Sequence, residues 1–167
     1  MKSIFALVLL GLSMISCSKI SDQELFDQGN KLIKEKKISE AIKSFESLIS
    51  EYPQSKLAPK SILQIASFYE AQLIEGTNRA KSYNKALELY NQVIEKYPDS
   101  EEAPIALFQS GFIYDNEFKN YDEATKKYNL FLQKYPDHKY CAIVQQSLDI
   151  MGMDPEEIIN KKQAASN

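Results

Sequence analysis

The sequence predicts an all-α protein, a solenoid of stacked helical hairpins, and three observations carry that prediction. One pattern is written three times: Ala41–Phe45–Leu48–Ile49–Tyr52–Pro53, Ala86–Tyr90–Val93–Ile94–Tyr97–Pro98 and Ala124–Tyr128–Phe131–Leu132–Tyr135–Pro136. Its offsets follow a helical period, so each copy lays its apolar residues along one stripe of a helix. A second apolar pattern precedes every copy, so each unit is a pair of helices. Self-similarity of this kind marks a repeat protein whose units bury their apolar faces only by stacking.

The elements follow in chain order. Lys2 and the apolar stretch Ile4–Leu12 read as a secretory signal, too short to cross a bilayer. Ser13-Met-Ile-Ser-Cys17 ends it and looks like a bacterial lipobox, which implies a signal peptide over 1–16 and a lipidated Cys17 on a short tether, 17–22. Multiple acyl chains on one cysteine would hold more firmly than a single chain. Ser18 after the cysteine leans towards the outer membrane; an ordinary signal peptide cut nearby is the alternative.

Leu25, Gly29 and Leu32 then begin the first hairpin. In each repeated block the aromatic residue supplies buried area, and the alanine lets a neighbouring helix come close. The proline after the last tyrosine pushes that tyrosine towards extended backbone, so the helix stops. Ser39, Asn84 and Asp122, two residues before each alanine, are placed as N-caps. Each block is thereby expected to be a capped helix of about four turns.

Ser55-Lys-Leu-Ala-Pro59 and Ser100-Glu-Glu-Ala-Pro104 lead into new helices, with proline in the first turn. There Ile62, Leu63, Ile65, Ala66 and Tyr69 answer to Leu107, Phe108, Gly111 and Tyr114. The glycines and Ala66 form notches where helices approach closely. An insertion over 72–83 lengthens the second unit, and Glu75-Gly-Thr-Asn78 in it is a turn signal. Cys141–Met151 reads as a capping helix, Asp154-Pro155 starts a short one, and the polar tail after Ile159 is expected to fray.

These positions resemble the tetratricopeptide repeat, a helix–turn–helix unit of about 34 residues. Leu25, Gly29, Leu32, Ala41, Phe45 and Pro53 fall at that family's spacing without a gap. The resemblance implies a right-handed superhelix over 23–151, with repeats at about 22–55, 58–100 and 103–138, a cap at 141–151, and a short helix and tail over 152–167. It also implies that the first helices line a concave, partner-binding groove. Its positions carry over to Phe26, Asn30 and Lys34, to Lys60, Leu63, Ser67 and Glu70, and to Phe108, Phe112 and Asp115. Phe26, Leu63 and Phe108 can equally serve packing between neighbouring first helices; Phe112 and Asn30 are the better candidates for exposure. The insertion is either a further partner contact or only a longer hairpin.

Composition narrows the function. The net charge is −3 and no basic stripe is present, so nucleic acid is not the expected partner. One histidine, His138, lies in a turn, and the five glycines build no phosphate loop. No metal, cofactor or catalytic site is expected. Cys141 reads as a small buried hydrophobe. A lipid anchor before such a stack is similar to the tetratricopeptide lipoproteins of outer-membrane β-barrel assembly, and to the repeat proteins that coordinate the Tol–Pal system. That likeness implies a non-enzymatic envelope scaffold that binds a protein or peptide segment through its groove. A lipoprotein that binds peptidoglycan or another glycan, with Phe112 stacking on sugar, is the second reading. A secretion pilotin is a third.

Overall fold

Eight helices follow one another through residues 19–164, the part of the chain that the computed structural model describes. The signal segment 1–16, Cys17 and the last residues of the tail lie outside it. Three hairpins come first: α1 (Asp22–Lys34) with α2 (Ile38–Glu51), α3 (Leu57–Glu70) with α4 (Arg79–Lys96), and α5 (Glu102–Asn116) with α6 (Tyr121–Lys134). Each hairpin packs on the next, and α7 (Cys141–Ile150) covers the end of the stack against α6. Helix α8 (Pro155–Ala164) is begun by Asp154, whose carboxylate accepts the Glu157 N–H at 2.9 Å, and it continues to Ala164 rather than ending at Ile159.

The repeated Tyr-Pro pairs stop α2, α4 and α6 in one geometry. Tyr52, Tyr97 and Tyr135 take φ of −132°, −133° and −130° with ψ of 56°, 51° and 56°. The proline ring keeps each tyrosine out of the helical region. The ψ value falls short of fully extended, which turns the chain towards the next helix. Pro59 and Pro104 then occupy the third position of α3 and α5, where no intrahelical acceptor is lost.

The helix starts differ from the expected caps. Lys36 at φ +61° reverses the chain, so α2 opens at Ile38 with Lys37 as an N-cap that makes no side-chain bond; Ser39 is already helical. Asn120, not Asp122, caps α6 by accepting the Glu123 N–H. Helix α4 begins at Arg79 under Asn78, which leaves Asn84 inside the helix. The insertion's last part, 79–83, is therefore helix: α4 has 18 residues against 14 for α2 and α6, and the true loop ends at Asn78. Gly76 there adopts φ +77°, the left-handed conformation that glycine tolerates best.

The aromatic residues of the repeat are core, as their spacing predicts. Phe45, Tyr90 and Tyr128 are at most 1 % exposed. A Cβ on Gly29 would come within 2.5 Å of the Phe45 ring, and one on Gly111 within 2.6 Å of the Tyr128 ring. Each glycine is the notch into which the partner helix inserts its ring. The second hairpin places buried Ala66 at that position.

One residue type varies with the ring. Four positions after the notch stand Ile33, Glu70 and Asp115, opposite Phe45, Tyr90 and Tyr128. The acids accompany the two rings that carry a hydroxyl. Glu70 reaches its tyrosine and accepts the Tyr90 hydroxyl. Asp115 is one methylene shorter, and the buried Tyr128 hydroxyl has no hydrogen-bond partner.

The stop tyrosines also link the hairpins. Tyr97 donates to the Pro53 carbonyl at 2.9 Å and Tyr135 to the Pro98 carbonyl at 3.3 Å, each one hairpin back. Tyr52 has no hairpin before it and donates instead to Ile20 O at 2.6 Å. Lys19 lies over the Tyr52 ring and pairs with Glu51 at 3.4 Å. The chain is thus docked on the first hairpin from Lys19 onward.

Two residues after the last Tyr-Pro pair differ from expectation, His138 being less peripheral and Cys141 less buried. His138 is half-buried between Phe131 and Tyr140, with ring centroids 5.4 and 4.9 Å away, and its Nδ1 accepts the Tyr140 N–H. Burial, and then neighbouring Lys139, hold its pKa below the usual value. Cys141 is half-buried, and its thiol meets the Tyr135 and Pro136 carbonyls at 3.0 and 3.2 Å. It closes the last Tyr-Pro turn and packs against the core of the third hairpin.

Candidate partner-binding groove

The first helices supply most of one open hollow of about 380 Å³. Helix α3 contributes Lys60, Leu63, Gln64 and Ser67, spaced so that all four share a stripe, and α5 contributes Glu102, Ile105 and Gln109 by the same rule. Phe26 of α1 and Tyr90 of α4 complete the lining. Phe26, Leu63 and Ile105 supply its apolar lining, and Lys60, Gln64, Ser67, Glu102 and Gln109 its polar lining.

Glu70 braces this hollow from behind. Its carboxylate accepts the Tyr90 hydroxyl and the Gln109 amide, the latter at 3.2 and 3.3 Å to its two oxygens. Burial raises the Glu70 pKa, against the lowering effect of those hydrogen bonds. Burial, followed by the Glu70 charge, raises the Tyr90 hydroxyl as well. Partial burial also raises half-buried Asp115, and burial pushes Tyr128 up to about 12. A carboxyl in a largely apolar setting therefore exists here, although nothing in the sequence pointed to one.

Of the ten groove positions inferred from the repeat, the structure brings four into the hollow: Phe26, Lys60, Leu63 and Ser67. Glu70 braces it. Asn30, Lys34, Phe112 and Asp115 are not among its lining residues, although Phe112 is 39 % exposed as expected. Phe108 is a packing residue. Its ring lies 5.1 Å from Tyr140, 6.3 Å from Tyr128 and 6.5 Å from Phe131, where it joins the third hairpin to the cap.

Gln64, Tyr90, Glu102, Ile105 and Gln109 were not anticipated as groove residues. The signal for Glu102 was in the repeat itself, since four residues after each Tyr-Pro proline stand Leu57, Glu102 and Tyr140. A second hollow of about 460 Å³ runs along the Tyr-Pro edge between the first two turns and shares Lys60 and Glu102 with the first. Among the described residues no group of three or more His, Cys, Asp or Glu is placed to hold a metal ion.

Over residues 18–152 the sequence matches the YfiO family, described as outer membrane lipoproteins. The chain belongs to the YfiO family. The match spans all three hairpins and α7 and stops short of α8. Membership makes the chain an outer membrane lipoprotein, lipid-anchored in the cell envelope, with the tetratricopeptide-type α-solenoid that the repeat spacing predicts. No curated protein matches it. The hollow between the first helices lies within the matched region.

Proposed function

We propose that this chain is a non-enzymatic scaffold of the cell envelope. It is anchored through acyl chains on Cys17 and recruits a protein partner into the groove of α1, α3 and α5. The hollow of about 380 Å³ carries this reading: it is open and lined by Phe26, Leu63 and Ile105 together with polar groups of α3 and α5, as suits a peptide segment with apolar anchors. The carboxyl nearest to a catalytic setting, Glu70, is engaged by Tyr90 and Gln109 and holds the two helices together. Family membership supports a role in assembling outer-membrane components. The glycan-binding reading is less well supported, because the exposed ring it needs, Phe112, is not among the residues lining the hollow.

Photo-crosslinking in cells, with the reactive side chain at position 67, tests the groove. The expected result is a discrete protein adduct that a probe on the far face, at position 46, does not give; equal labelling at both sites would reject the groove. Palmitate labelling tests the anchor, and Cys17→Ser is expected to abolish it.

A further inference from the structure

The three junctions of the stack are built alike, with one exception. At the first, Leu57 joins the apolar cluster of Leu25, Leu48 and Ala58, against which Phe26 also packs. At the last, Tyr140 stacks on Phe108 with centroids 5.1 Å apart. Phe26, Leu63 and Phe108 hold one register position, three residues before the notch. The middle junction should then set an apolar residue beside Leu63, and it carries Glu102 instead. The acid is only 6 % exposed, lines both hollows, and has no hydrogen-bond or ion-pair partner among the described residues. Lys60 lines the same hollows, is exposed, and forms no ion pair with it.

A carboxylate that opens only onto a partly apolar hollow and has no partner is unfavourable. Its place in the first turn of α5 lets the helix dipole offset only part of that cost. Of the neighbouring polar groups, Tyr90, Gln109 and Ser67 have their donors in use, and Lys60 and Gln64 make no bond to Glu102. The Tyr90 hydroxyl and the Gln109 amide both donate to Glu70, and the Ser67 hydroxyl donates to Gln64 O at 2.8 Å. Each of the three keeps acceptor capacity in the lining that also holds the Glu102 carboxylate. Such a site asks for a ligand that brings several donors and a positive charge. Phe26, Leu63 and Ile105 supply apolar surface for the planar face or stem of that ligand.

We infer that the hollow between α3 and α5 is a receptor for an arginine side chain of the partner, flanked by apolar residues, with Glu102 as its counter-ion. The inference rests on the groove reading above and names the chemistry of the segment that enters it. Guanidinium fits better than ammonium because its fork of donors can meet Glu102 and the Gln109 and Tyr90 acceptors together.

Calorimetric titration of the full chain in detergent tests it, using capped pentapeptides of sequence Ala-Leu-Arg-Leu-Ala, and the same peptide with neutral citrulline or with Glu at the centre. The arginine peptide is expected to bind, and the other two to bind about tenfold more weakly or worse. Glu102→Gln should cost the arginine peptide about tenfold or more, while the melting temperature holds or rises. Glu102→Leu, which restores the residue type found at Leu57, should abolish binding in a chain at least as stable. The inference falls if arginine and citrulline bind equally, if Glu102→Gln changes nothing, if no peptide binds, or if the Glu peptide binds best and loses its affinity in Lys60→Gln. Crosslinking at position 67 separates the two levels. Groove adducts alongside a failed titration overturn the arginine assignment alone, whereas their absence overturns the groove itself.

Discussion

The first and third hairpins differ from the second in what they bury. In the flanking pair a glycine receives the partner ring with no room to spare, Gly29 under Phe45 and Gly111 under Tyr128. The second hairpin has Ala66 at the notch, ties Tyr90 to Glu70, lengthens α4, and opens its junction with the third around Glu102. The flanks are built for packing, while the middle devotes buried positions to polar groups. A repeat can tolerate this because its neighbours clamp it on both sides and the stack shares its stability between adjacent units.

The sharpest way to break the comparison is to empty a flank. Phe45→Ala should cost about 3–5 kcal/mol in urea unfolding, because the ring is fully buried and its notch cannot collapse around the void. A loss below about 1 kcal/mol would mean that the first hairpin is not the tight unit described. Gly29→Ala comes next. Its Cβ would sit 2.5 Å from the Phe45 ring, and the expected loss is about 1–3 kcal/mol despite the better helix propensity of alanine. If the variant matches the wild type in thermal melting, the notch is not closed.

Glu70 sharpens the other side of the contrast through pH. Its folded pKa lies above the ordinary carboxylate value, chiefly through burial, so between the two values the native state binds more protons than the unfolded state. Stability should therefore fall as pH rises through that window and level off above it. Glu70→Gln removes the titration. Urea unfolding across pH 4–7 is expected to show the wild type losing ground to the variant as pH rises, and a constant gap would contradict the assignment. The smallest effect is expected from Tyr97→Phe. Its hydrogen bond to Pro53 is partly exposed, so about 1 kcal/mol or less should be lost, with faster hydrogen exchange at the turn between the first two hairpins.

Much of the fold was legible because it is periodic. The Ala-to-Pro spacing located the ends of α2, α4 and α6, and the small residues located the notches. The caps were misplaced where the chain reverses through residues such as Lys36 and Lys119, whose positive φ values no side-chain pattern announces. The extra length of α4 is not legible in the sequence because Arg79–Tyr83 directly follows a turn signal and carries no start signal of its own beyond Asn78. In the groove, Phe26, Lys60, Leu63 and Ser67 could be read from register, but Gln109 and Tyr90 could not. They come together only because α4 and α5 meet across Glu70. Register left Phe108 open between packing and groove, and the Tyr140 ring decided it by covering that side chain.

The sequence by itself determined the hairpins, their number, their stops and the rings that fill them, because each follows from local periodicity and from the conformational limits of proline and glycine. Only the tertiary structure decided where the stack is left open. Whether Glu102 is a surface acid at a helix start or a nearly buried, unpartnered charge depends on the distance between two helices, and that distance is set by packing across hairpins rather than by any one segment.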